Sequence, residues 1–224
     1  MNKPHNIIGT PPDKESIYKI LFAFVEDVTT NFKPFSKNTK GNDVDSENLI
    51  TQDFEKILNS RSRAIKAFFA FQNQHEEGQY VTDISVYNTT SYDDFCWIEA
   101  KRLPTPDGGK TRDEREYVIV SQEKENGKKK FKGNGGIQRF KEGKHAPKHS
   151  YAIMIGYIQQ KDATYWLNKI NGWISELMNK KPNIWTESDY LHKQDTNNNL
   201  KYSSVHNRSK GLGKITLQHF WINV

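Results

Sequence analysis

Apolar residues along the chain recur first with helical and then with strand-like spacing. Ile17, Ile20, Leu21, Phe24, Val25 and Val28 fall every three or four positions, predicting an amphipathic helix over about 14–32. Ile50, Phe54, Ile57 and Leu58 repeat that spacing and predict a second helix over 46–58, which Asp45 or Ser46 can cap. Residues 79–87 and 95–103 are then rich in β-branched and aromatic residues, and the turn-forming stretch 88–94 separates them, so they read as two adjacent strands. Gly133, Gly135 and Gly136 introduce a short helix around Ile137 and Phe140, and Gly143 ends it. Residues 151–158 are apolar almost throughout, as a central buried strand is. Asp162 then caps a helix through Met178 whose stripe holds Tyr165, Trp166, Ile170, Trp173, Ile174 and Leu177. Residues 214–224 alternate and then run apolar, predicting a last strand.

A chain of 224 residues is long enough for one α/β domain with a sizeable core, expected over 13–224 behind a flexible polar tail at 1–12. That tail lacks the apolar centre of a signal peptide, and the apolar run at 20–25 is far too short to span a bilayer, so no membrane partner is expected. The one cysteine, Cys96, sits inside a predicted strand; no disulfide framework exists, and a cytoplasmic location is expected.

Charge sharpens this picture. The net charge is +6, yet residues 101–148 alone hold fourteen Lys or Arg against seven Asp or Glu, so the surplus is concentrated there. Its densest part, around Lys128, Lys129, Lys130 and Lys132, belongs to an expected basic insertion over 104–132. Such a flap suits a polyphosphate such as nucleic acid, although a solvated surface loop has the same composition.

The candidate chemistry lies in the two adjacent strands. Side chains alternate along a strand, so Glu99 and Lys101 share a face, roughly 6–7 Å apart, and Asp83 can project onto it from the neighbour. Their flanks, Trp97, Ile98, Ala100, Val81 and Ile84, are apolar, and charges among them are costly unless paired or bound to an ion. Mg²⁺, with Mn²⁺ as the alternative, answers that cost with hard oxygen ligands. Glu47 shares the inward face of the second helix, whereas Glu55 lies beside its apolar stripe. The competing reading is plain: Asp83 caps a turn, and Lys101 pairs with Glu99 on a wet edge.

Asp83, followed at a distance by Glu99-Ala100-Lys101, resembles the motif of the PD-(D/E)XK nuclease superfamily, which contains many restriction endonucleases. The order helix, strand, strand, helix, strand, helix over roughly 45–180 is similar too. The resemblance implies a restriction-endonuclease-like core, a central mixed sheet of about four to five strands flanked by helices. It implies that Asp83, Glu99, the Ala100 carbonyl and Glu47 hold the ion, and that Lys101 orients the attacking water. Gln138 resembles a helix glutamine carried near the active site in some branches. Arg139 can clamp a phosphate bidentately, and free N–H groups at its helix start favour an anion; with Lys129 and Lys130 these are the expected substrate contacts. The implied activity is Mg²⁺-dependent hydrolysis of nucleic acid, most of all double-stranded DNA, as a restriction or phage-defence endonuclease leaving a 5′-phosphate. A homodimer through the first helix is a candidate assembly. The alternative is a catalytically silent nucleic-acid-binding module on the same fold. The seven histidines show no zinc-site spacing, and His206 and Arg208 are weaker candidates for phosphate contact than for a hydrogen-bonded turn.

Overall fold

The computed structural model describes residues 13–35, 47–77, 80–103, 114–125, 128–132, 135–195, 200–209 and 211–224. The tail expected at 1–12, the candidate caps Asp45 and Ser46, and residues 104–113 of the insertion lie outside them. Among the described residues no helix is long and apolar enough to cross a membrane.

Helix α1 (Lys14–Asn31) begins where Asp13 accepts the Ser16 amide at 2.9 Å, and α2 (Glu47–Ala64) runs six residues beyond its expected end. Strands β1 (Phe69–Glu77), β2 (Tyr80–Asn88) and β3 (Asp94–Leu103) follow. A 3-10 turn at Glu114–Tyr117 leads into a separate ribbon of β4 (Val120–Glu125) and β5 (Lys128–Lys132). Then come α3 (Gly136–Lys141), β6 (Tyr151–Ile158), α4 (Ala163–Lys180), β7 (His192–Lys193), β8 (Lys201–Asn207) and β9 (Lys214–Asn223).

The main sheet has seven strands in the order β1-β2-β3-β6-β9-β8-β7, not four to five. It is mixed: β3, β6 and β9 are parallel neighbours, and the outer pairs are antiparallel. The extra strands escaped hydrophobic patterning for a physical reason. In β1 only Phe69 and Phe71 carry the buried apolar face, and the strand then turns polar. In β8 the buried alternate residues are Tyr202, Ser204 and His206, so its inward face is largely polar.

Both sheet faces are covered, which is why β6 is apolar on each. On one face Leu21 and Val25 of α1 and Ile50, Phe54 and Leu58 of α2 pack with Ile98, Ala100, Ile153 and Ile155. Ile20, assigned to the apolar stripe of α1, is instead exposed, and Tyr18 and Phe22 take the buried positions. On the other face Ile137 and Phe140 of α3 and Trp166, Ile170 and Ile174 of α4 pack with Trp97, Met154 and Trp221. Tyr117, Val118 and Ile119, within the segment expected to be an excursion, are fully buried in this second core. Each helix is thus fixed against a sheet that carries the charged residues of β3.

Candidate active site

The β2–β3 ladder runs from Tyr87–Asp94 to Ile84–Ile98 and stops there. One residue farther, Asp83 takes over the pairing with its side chain: Oδ2 accepts the Ala100 amide at 2.7 Å. This parting of two strands opens a pocket beside Glu99 and Lys101, which share one face of β3. The first residue of α2 closes the pocket, because Glu47 Oε2 accepts the Arg102 amide at 3.2 Å.

Lys101 lies at the centre and is 8 % exposed. Its Nζ donates to Ala100 O at 2.6 Å and to Glu47 Oε1 at 3.3 Å, and it stands 2.7 Å from Glu99 Oε1 and 3.9 Å from Asp83 Oδ2. Glu47, Asp83, Glu99, Ala100 and Lys101 are therefore brought together around a single ammonium.

Glu99, 1 % exposed, is the most enclosed of the three acids around Lys101. Arg139 of α3 reaches it with Nη1 at 3.2 Å from Oε1. His145 Nδ1 lies 3.2 Å from the other oxygen, close but not aligned for a hydrogen bond. Burial alone would raise the Glu99 carboxyl, but Lys101, His145 and Arg139 outweigh it and hold the group ionised, well below the usual carboxylate range. Asp83 goes the other way: burial and the Glu99 charge push it up to about 7, against the pull of Lys101 and the Ala100 amide. Its side chain keeps 29 % exposure, so solvent tempers that shift. Burial by itself would lower the Lys101 ammonium, yet Glu99, Glu47 and Asp83 together hold it protonated.

His145 had no signal in the sequence. Gly143, at φ +66°, ends α3, and the amides of Lys144 and His145 fold back onto the Arg139 carbonyl at 2.9 and 3.2 Å. This local turn sets His145 beside Arg139, against Trp97 and Phe140.

The other expected contacts are placed differently. Gln138 points into a separate cavity of about 280 Å³, shared with Lys141, Glu142, Trp185 and Arg208, and its amide donates to Glu142. In the first turn of α3, where free amides were expected, the Gln138 N–H is donated to Val118 O at 3.0 Å. Its glycines serve close approach, since a Cβ on Gly135 would lie 2.3 Å from Ile119 Cα. Lys129 and Lys130 pair along the β4–β5 ribbon, and their side chains lie outside the described residues. Arg208 donates to the backbone oxygens of Ala146, Pro147 and Leu212.

A second polar cluster is sealed in the core. Asp189 Oδ1 accepts from His206 Nδ1 and Lys141 Nζ, both at 2.6 Å. Ser204 Oγ lies 2.6 Å from His206 Nε2 and 2.7 Å from His219 Nε2; His219 Nδ1 lies 2.9 Å from the Tyr117 hydroxyl, which accepts from Trp221 Nε1 at 3.0 Å. With both rings neutral every proton has a place. Trp221 donates to Tyr117, Tyr117 to His219, His219 to Ser204, Ser204 to His206, and His206 to Asp189. Ser204, His206 and Asp189 stand in the order of a nucleophile, a base and its orienting acid, but all three are buried and no substrate reaches Ser204 Oγ.

Among the described residues no group of three or more His, Cys, Asp or Glu side chains is spaced to hold a metal ion. The acids are spaced around an ammonium, at 2.7 to 3.9 Å, wider than the 2.0–2.1 Å of Mg²⁺ ligation. The donor set nevertheless suits a hard divalent ion, because three carboxylates and a carbonyl converge on a point already taken by positive charge. No family model matches the chain, and no curated protein or solved structure matches it significantly.

Proposed function

We propose that this chain is a divalent-ion-dependent nuclease with a core of the PD-(D/E)XK type, acting on DNA. One observation carries the reading: Glu47, Asp83, Glu99 and the Ala100 carbonyl, drawn from three separate elements, converge on one cationic point next to Arg139. A surface pair would not draw in a helix N-terminal acid 54 residues away. The mixed sheet with helices on both faces is compatible with that core, as are two adjacent antiparallel strands supplying the acids.

In this reading Glu47, Asp83, Glu99 and the Ala100 carbonyl hold Mg²⁺ or Mn²⁺. The chemistry supplied by the bound ion is neutralisation of charge on a non-bridging phosphate oxygen and a lowered pKa for bound water. Lys101 orients the attacking water and offers a compact charge to the developing oxyanion. Arg139, whose side chain is 31 % exposed, has one edge on Glu99 and can turn the other to a phosphate. His145 and Trp97 hold Glu99 and its partners in place and keep water from that side.

The test is a cleavage panel of duplex DNA, single-stranded DNA and RNA, with Mg²⁺, Mn²⁺ or chelator. The native chain cuts DNA only with the ion, and Asp83→Ala and Glu99→Gln are folded and inert. Salt-sensitive binding that survives chelator, with no cleavage under any ion, would establish the silent binding module instead.

A further inference from the structure

Lys101 does not stand at the mouth of the pocket, where a phosphate arrives, but within it. Its ammonium touches the same four groups assigned to the ion: Ala100 O at 2.6 Å, Glu99 at 2.7 Å, Glu47 at 3.3 Å and Asp83 at 3.9 Å. Arg139 shares one of these oxygens from outside, but a divalent ion held by all four groups would have to occupy the point where the Lys101 ammonium lies. Three acids close together, with Glu99 1 % exposed, also leave negative charge that requires a counter-charge when no ion is present.

We propose that Lys101 is the resident counter-cation of this pocket, and that a divalent ion binds only by exchanging with its ammonium. The inference rests on reading the acids as an ion site and deepens it by naming what controls entry. The flexible four-carbon stem lets the ammonium leave without moving β3. Arg139 remains on Glu99 and keeps that carboxylate in position during the exchange. The expelled ammonium emerges beside Arg139, where an incoming phosphate meets it. One movement therefore opens the ion site and delivers the charge that the substrate needs. Ion-free protein is held in a closed, internally neutralised form.

The measurement is ion binding without nucleic acid. Native chain, Lys101→Met and Lys101→Arg are titrated with Mn²⁺ and Mg²⁺ by calorimetry. Removal of the competing charge makes Lys101→Met bind at least about tenfold more tightly than native, while Lys101→Arg binds no more tightly than native. Equal or weaker binding by Lys101→Met overturns the exchange, and so does tight binding by Lys101→Arg. Lys101→Met that folds only when the ion is present supports it. Should Lys101→Met fail to fold in every condition, the native chain decides the matter. Its Lys101 is modified by an amine-reactive reagent, read by mass spectrometry, severalfold faster with saturating Mn²⁺ than in chelator; an unchanged or slower rate overturns the proposal. No arm reads cleavage. A chain that exchanges the ion but cuts nothing refutes the nuclease and leaves the exchange standing, and one that cuts without exchange does the reverse.

Discussion

Asp83 Oδ2 accepts the Ala100 amide at 2.7 Å, one residue beyond the last backbone pair of β2 and β3. A side chain thus stands in for a ladder bond at the place where the two strands separate. The same carboxylate lies 3.9 Å from Lys101 and feels the charge of Glu99. It is at once a structural clasp and a member of the acid pocket.

That double duty makes stability depend on pH. Burial and the Glu99 charge push Asp83 up from its ordinary value of 3.8 to about 7 in the folded chain, and solvent at its exposed edge narrows that gap. Between those values the folded chain keeps a proton that the unfolded chain has lost, so stability falls as pH rises through the window. In chelator, Asp83→Asn should gain on the native chain from pH 5 to 7.5, by at most about 1.4 kcal/mol per pH unit. Urea denaturation of both proteins across that range measures it, and a difference independent of pH refutes the assignment.

The sealed relay has the opposite sign. Burial holds His206 and His219 below their ordinary value of 6.5, and the hydrogen-bond order needs both rings neutral. The unfolded chain takes up these protons first, so the contribution is present above pH 6.5 and is lost on acidification. The stability advantage of native over His219→Gln should shrink from pH 6.5 to 5. At pH 7.5 Ser204→Ala should cost about 1–3 kcal/mol, as it leaves a buried donor and a buried acceptor unpartnered. Denaturant midpoints within error of native would show that the relay contributes nothing.

Gly135→Ala tests the seating of α3. The added Cβ meets the Ile119 backbone at 2.3–2.7 Å, and backbone cannot turn aside as a flexible side chain can. A loss of about 1–3 kcal/mol is expected. The shift of α3 would also draw Arg139 off Glu99, so any cleavage activity should fall by more than the folded fraction does. A variant with native melting temperature and native activity would contradict the close packing seen here.

Elements built on apolar residues were legible in the sequence. The run at Tyr151–Ile158 and the stripe of α4, except Tyr165, which is exposed, follow from burial on both faces and on one face, respectively. Strand parity placed Glu99 with Lys101, and helical spacing turned Glu47 inward; the distances agree with both. What stayed hidden depends on polar burial or on folded turns. β8 hides Ser204 and His206 where pattern analysis looks for aliphatic residues. His145 reaches Glu99 only because the chain folds back on Arg139 after Gly143. Gln138 and Arg139 are adjacent in sequence, yet a helix sends neighbours to different sides, so one enters a separate cavity and the other reaches the acids.

The polar inward face of β8 also governs how that strand is aligned. Sliding β8 by one residue against β9 would turn Tyr202, Ser204 and His206 outward and bring Ser203 and Val205 in. His219 and His206 would then each lose its acceptor at once, whereas the bonds from Trp221 to Tyr117 and from Tyr117 to His219, which lie off β8, would remain. An aliphatic strand slipped by one place forfeits some contacts gradually, whereas this one proofreads its own alignment in a single step.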